Sequence, residues 1–96
     1  MTPEERARGM EPVPYAATDE QAAIAHFVDR EPWPANIRDR YVALINSKVA
    51  ELKGACEIGD EVWICRSRFI GPLAGHEGLG IVRNGQVVRY DSLIDY

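Results

Sequence analysis

The dipeptide Asn84-Gly85 stands between Leu79-Gly-Ile-Val-Arg83 and Gln86-Val-Val-Arg-Tyr90, and no other feature restricts the fold as much. Asn followed by Gly accepts positive φ at both central positions of a type I′ turn, whose twist matches that of the strands it joins, so the pair predicts a two-residue β-hairpin. If Arg83 faces Gln86, then Ile81 faces Val88 and Leu79 faces Tyr90 on one side, while Val82 faces Val87 and Gly80 faces Arg89 on the other. The side with Leu79, Ile81, Val88 and Tyr90 is the natural bed for helices. The reverse side carries Val82 and Val87, joined by Trp63 if another strand pairs alongside, and is the candidate contact face unless the N-terminal arm or the loop before Leu79 covers it.

Two helices precede the hairpin. Thr18-Asp-Glu-Gln21 reads as a capping box, which starts a helix at Asp19 with Ile24, Phe27 and Val28 on one side and Pro32 limiting its length. Pro32-Trp33-Pro34 is a rigid connector, and Pro34 suits the first turn of a second helix, where its missing N–H has no intrahelical partner. There Ile37, Tyr41, Leu44, Ile45, Val49 and Leu52 fall at offsets 0, 4, 7, 8, 12 and 15, a stripe of period 3.6. Gly54 supplies the stop. Glu61-Val-Trp-Ile-Cys-Arg66, after the turn signal Gly59-Asp60, is rich in β-branched and aromatic residues and predicts a strand. The expected fold is α+β: two N-terminal helices on a small antiparallel sheet of about three strands that ends in the Asn-Gly hairpin. Residues 1–17, with Pro3, Pro12 and Pro14 and no apolar periodicity, are expected to be a flexible arm, and residues 18–96 a single domain.

Ninety-six residues make one domain, and 46% apolar content is enough for one modest core. A net charge of −4 argues against nucleic acid held by bulk electrostatics. Residues 1–9 lack the apolar stretch of a secretory signal, and nowhere do roughly 18 apolar residues run together, which predicts a cytoplasmic protein without a membrane segment. Cys56 and Cys65 fit no four-ligand metal spacing and are read as reduced thiols; a bridge between them is sterically conceivable if they flank a turn. No metal or cofactor is expected.

Gly71-Pro-Leu-Ala-Gly75-His-Glu-Gly78-Leu-Gly80 holds four of the eight glycines. It lacks the Gly-Lys-Ser/Thr of a phosphate loop and leads into a strand rather than a helix, so it is read as a compact loop whose glycines permit a bulge and close packing at the hairpin entrance. Within it His76-Glu77 is the one imidazole beside a carboxylate, a general base if Ser67 or Cys65 comes near; in a strand, however, adjacent residues point to opposite sides. His26 receives no role. Arg66, Arg68, Arg83 and Arg89 make the sheet locally basic, and Arg66 and Arg89, near Trp63 and Tyr90, are candidates to grip an acidic partner.

The run Gly59-Asp-Glu-Val-Trp63, then Leu73-Ala-Gly75, Gly78 and Ile81-Val-Arg-Asn-Gly85-Gln-Val-Val88, resembles a pattern in small bacterial proteins that have an acidic-hydrophobic-Trp strand, a Leu-x-Gly-x-x-Gly loop and a Val-Arg-Asn-Gly hairpin. That likeness implies strands and brings no activity with it. The same stretch is similar to the KOW motif of transcription-elongation and ribosomal proteins, through Gly71-Pro-Leu-Ala-Gly75-His-Glu-Gly78, with a longer interval from Ile64 to Gly71 than that motif has. This resemblance implies contact with RNA or the ribosome.

The leading functional expectation is a non-catalytic protein-interaction or regulatory module of bacterial or phage origin. It would bind a protein partner or a second copy, or inhibit a larger complex, through Trp63, Val82, Val87, Arg66 and Arg89. The alternatives are an RNA-contacting KOW-like module and a small hydrolase using His76 and Glu77.

Overall fold

The computed structural model of the chain describes residues 11–68 and 75–95. Its elements run β1 (Pro12–Ala17), α1 (Glu20–Phe27), α2 (Ala35–Ala55), β2 (Glu61–Ser67), β3 (His76–Arg83) and β4 (Gln86–Asp95). The four strands form one antiparallel sheet in the order β1-β2-β3-β4, and the α+β class is as expected, with one strand more than anticipated.

The additional strand lies in the stretch assigned to a flexible arm. Pro12, Val13 and Pro14 pair with Ser67, Arg66 and Cys65, a bulge follows, and Ala16 and Ala17 pair with Ile64 and Trp63. Prolines that cannot donate to a ladder are tolerated at a sheet edge, and β1 is an edge strand. The pairing partner is some fifty residues away, so nothing in the local pattern announces it. Residues 1–10 of the expected arm lie outside the described residues.

Helix α1 begins one residue later than the capping box implies. The Thr18 amide donates to Val62 O at 3.0 Å, so Thr18 still belongs to the strand side of the junction. Asp19, extended at φ −123°, becomes the cap, and its Oδ1 accepts from the Ala22 amide at 2.8 Å. Helix α2 continues through Gly54 and ends at Cys56, whose backbone turns extended at φ −69° and ψ 138°. Gly54 is therefore helical rather than the stop.

Asn84 and Gly85 have φ of 53° and 78°, as a type I′ turn requires. The first two pairs, Arg83 with Gln86 and Val82 with Val87, are those expected. Beyond them the register slips by one: Ile81 faces Arg89, Gly80 faces Tyr90 and Leu79 faces Asp91. Val88 is the extra residue of this bulge and is 50% exposed rather than bedded under the helices. The cause lies in β3. A Cβ on Gly80 would come within 2.6 Å of Arg89 O and 3.1 Å of Cys65 Sγ, and one on Gly78 would run into the Asp91 carbonyl. The backbone of β4 thus lies against a glycine-lined surface, and a second irregularity between Glu77 and Gly78 accompanies it.

The core lies on the helix side of the sheet, where Ala23, Phe27 and Val28 meet Ile45, Val49 and Leu52 over Val62, Ile64, Leu79 and Ile81. The reverse side was the candidate contact face. Instead Cys65, Ser67, His76, Gly78, Gly80 and Val82 are all buried there, Val82 to 5% exposure, while Trp63 and Val87 are half-buried. Close approach of β4 at the glycines takes away the free apolar face that the hairpin pattern alone implies.

Candidate functional site

The open apolar surface lies at the helical end of the molecule. Helix α2 has 21 residues and is about 31 Å long, whereas the seven residues of β2 reach about 23 Å. The buried residues of α2, Ile45, Val49 and Leu52, run from its middle to its last turns. Toward its start Val42 packs against the core, while Tyr41 and Leu44 are 39% and 52% exposed.

Beside them is a groove of about 370 Å³, walled by Phe27, Val28, Trp33, Ile45, Leu93 and Ile94 and bordered by Tyr41, Leu44, Arg30 and Glu31. The Pro32-Trp33-Pro34 connector creates it, because the kinked exit from α1 holds the Trp33 ring edge-on to Tyr41 with centroids 5.0 Å apart. The Trp33 indole nitrogen is buried and has no hydrogen-bond partner, a donor left facing apolar surroundings. Nearby, Arg38 grips Asp29 through Nε and a terminal nitrogen at 2.8 and 3.1 Å. The hydrogen bonds from Arg38 hold the Asp29 carboxyl below its ordinary value.

The residues singled out from sequence are distributed differently. His76 and Glu77 lie in β3, not in a loop, and leave the strand on opposite faces, so they do not form a pair. The Nδ1 atom of His76 hydrogen-bonds with the Tyr90 hydroxyl at 2.6 Å, and its backbone N–H donates to Ser67 Oγ at 3.0 Å. Burial pushes the Tyr90 hydroxyl up to about 12 and the Cys65 thiol up to about 11. The partner of Glu77 is His26, the histidine given no role: Nε2 and Oε1 are 2.7 Å apart, and Arg30 stands 3.7 Å from the other carboxylate oxygen.

Trp63 is on the reverse side of β2, away from the two arginines expected beside it. Arg66 faces the helix side, its guanidinium 4.4 Å from the centre of the Tyr15 ring. Arg89, carried to that side by the Val88 bulge, pairs with Glu51 at 3.4 Å and Asp91 at 3.6 Å. Gly75 precedes β3 with φ 101°, Gly78 is within it, and Gly71 lies outside the described residues. Cys56 and Cys65 are free thiols. Among the described residues no group of three or more His, Cys, Asp or Glu is arranged to hold a metal, and no helix is long and apolar enough to cross a membrane.

Sequence reasoning placed Tyr41 and Leu44 in the core with the rest of the α2 stripe. The available signal was the width of that stripe, since Leu44 stands about 100° round the helix from Ile45, at the margin of the buried line of Ile45, Val49 and Leu52. Family models, curated proteins and solved structures give no match for the chain.

Proposed function

We propose that the protein is a non-catalytic interaction module that pairs with a second copy of itself through the groove at the helical end. The observation that carries this reading is a knob beside a hole: exposed Leu44 and Tyr41 border the hollow walled by Trp33, Phe27 and Leu93. A two-fold axis through such a surface places each knob in the other copy's hole, giving a self-complementary contact that closes at two.

The local charge agrees with this. The chain carries −4 overall, yet residues 29–40 hold Asp29, Glu31 and Asp39 against Arg30, Arg38 and Arg40, a net of zero. Two such rims meet without like-charge repulsion. The edge strand β1 is a poorer place to associate, because Pro12 and Pro14 offer no N–H to a new ladder.

Sedimentation velocity at rising concentration tests the reading. A dimer that becomes monomeric in Leu44→Asp and persists in Val88→Asp, an exposed position on the hairpin, supports it. A monomer up to about 1 mM, the limit of weak specific association, overturns it, as does a dimer that survives both Leu44→Asp and Tyr41→Asp. A different protein held through the same groove, with this chain alone remaining monomeric, also overturns self-pairing.

A further inference from the structure

A second surface, at the corner where β1, β2 and the end of α1 meet, gathers cationic groups around the Glu77 carboxylate. Glu77 is buried there between His26 at 2.7 Å and Arg30 at 3.7 Å. The His26 ring centroid lies 6.1 Å from that of Tyr15, and the Arg66 guanidinium sits over the Tyr15 ring at 4.4 Å. Arg66 is also the ladder partner of Glu77 on the adjacent strand, so the five side chains form one continuous cluster. Its outer members, Tyr15, Arg30 and Arg66, are exposed.

Arg66 differs from the other arginines of the sheet. Arg68 has Glu11 at 3.6 Å, Arg83 has Asp60 at 2.9 Å and Arg89 has Glu51 at 3.4 Å. Among the described residues no carboxylate lies within ion-pair distance of Arg66, and an aromatic ring holds it instead. Stacking fixes the plane of a guanidinium while its N–H edge stays available, so a ligand that takes the fork finds it already ordered.

The geometry points to this corner as an oxyanion site for a small phosphate monoester, with the Arg66 fork on two phosphoryl oxygens and Arg30 on the third. A phosphoryl group has three oxygens for two guanidinia, whereas one fork exhausts a carboxylate. The acidic balance of the chain opposes a long polyanion and favours a small ligand.

Titration of the full-length ¹⁵N-labelled protein with inorganic phosphate, glycerol phosphate and, as control, acetate provides the test. The arginine side-chain Nε–H signals of Arg66 and Arg30 and the Tyr15 amide are expected to shift together and saturate with glycerol phosphate in the range of about 1 mM, and to respond less to acetate. Arg66→Lys keeps the charge and loses the fork, and is expected to weaken binding about 10-fold, or roughly 1.4 kcal/mol. Tyr15→Leu releases the guanidinium and is expected to weaken binding several-fold, with the remaining amide spectrum unchanged. Leu44→Asp, which addresses self-pairing, is expected to leave phosphate binding as it is. Equal response to acetate and phosphate, unaltered binding in Arg66→Lys, or shifts that avoid Arg66 overturns the site. Single-stranded RNA that binds more tightly than the monoester and is released steeply by salt replaces the small ligand with a polymer and overturns the proposal.

Discussion

Asp60 and Arg83 meet in a two-pronged ion pair, with Nε to Oδ1 and a terminal nitrogen to Oδ2 both at 2.9 Å, that ties the turn after α2 to the end of β3. The second Asp60 oxygen also accepts from the Glu57 amide at 2.9 Å, so one carboxylate closes the turn and anchors the hairpin.

This pair predicts an acid dependence. Hydrogen bonds from Arg83 and then from the Glu57 amide hold the Asp60 carboxyl down to about 2, against an ordinary 3.8. A depressed carboxyl contributes stability that is complete above its unfolded value and is lost as pH falls through its folded value. Urea midpoints of the wild type and Asp60→Asn, measured from pH 7 to pH 2, are expected to differ most at neutral pH. The two curves are expected to converge between about pH 4 and pH 2. Parallel curves over that interval would show that the pair is not coupled to folding.

Two glycines respond to alanine in opposite directions. Gly54 lies in the last turn of α2 with nothing within 4 Å of its missing Cβ. Gly54→Ala is expected to stabilise the protein by about 0.8 kcal/mol, through helix propensity and a less free unfolded chain. Gly78→Ala forces a methyl onto the Asp91 carbonyl, which is backbone and cannot step aside. A loss of about 3 kcal/mol, the upper end of overpacking, or outright failure to fold is expected. Equal urea midpoints for the two variants would contradict the close approach of β4 to β3.

The cap of α1 offers a finer comparison. Asp19 Oδ1 satisfies the Ala22 amide, while the Thr18 hydroxyl donates to Asp19 O at 3.1 Å and caps nothing. Asp19→Ala is expected to cost about 1 kcal/mol and Thr18→Ala markedly less. Thermal melts of the two variants decide between this arrangement and the Thr18-Gln21 box that the sequence pattern favours.

What was legible in the sequence was what local chemistry decides. Asn84-Gly85 sets its own backbone dihedrals, and the stripe from Ile37 to Leu52 needs only a 3.6-residue period, so the turn and α2 could be read directly. Strand β1 could not, because Pro12 and Pro14 argue against a strand unless it sits at an edge, and the edge is supplied by β2 far along the chain. The glycine-rich segment was read as a compact loop permitting a bulge and close packing; Gly78 and Gly80 do meet β4 closely beside irregular register, but inside strand β3, and Gly71 lies outside the described residues. Which residue bulges, and hence that Tyr90 turns to the reverse side and Arg89 to the helices, depends on how β4 lies over Gly78 and Gly80. The groove was hidden for a different reason: periodicity assigns Leu44 and Ile45 to one stripe, yet Leu44 stands about 100° round the helix from Ile45, and only packing shows that the one is 52% exposed and the other 3%.

The reverse side of the sheet predicts a response to alkali that mirrors the acid response at Asp60. Burial raises the Tyr90 hydroxyl from 10.0 to about 12, in contact with His76. The unfolded chain therefore releases this proton at lower pH than the folded one does, and stability falls as pH rises through the unfolded value toward the folded one. The Cys65 thiol, raised from 9.0 to about 11 by the same burial, acts with the same sign. Tyr90→Phe keeps the ring and removes the proton, so its urea midpoint is expected to decline less steeply above pH 10 than that of the wild type. At neutral pH the variant is expected to lose about 1 kcal/mol for the missing hydrogen bond to His76. Curves of equal steepness above pH 10 would mean that Tyr90 ionises in the folded state as easily as in water, and that the side of the sheet beyond Gly80 is wetter than its packing implies.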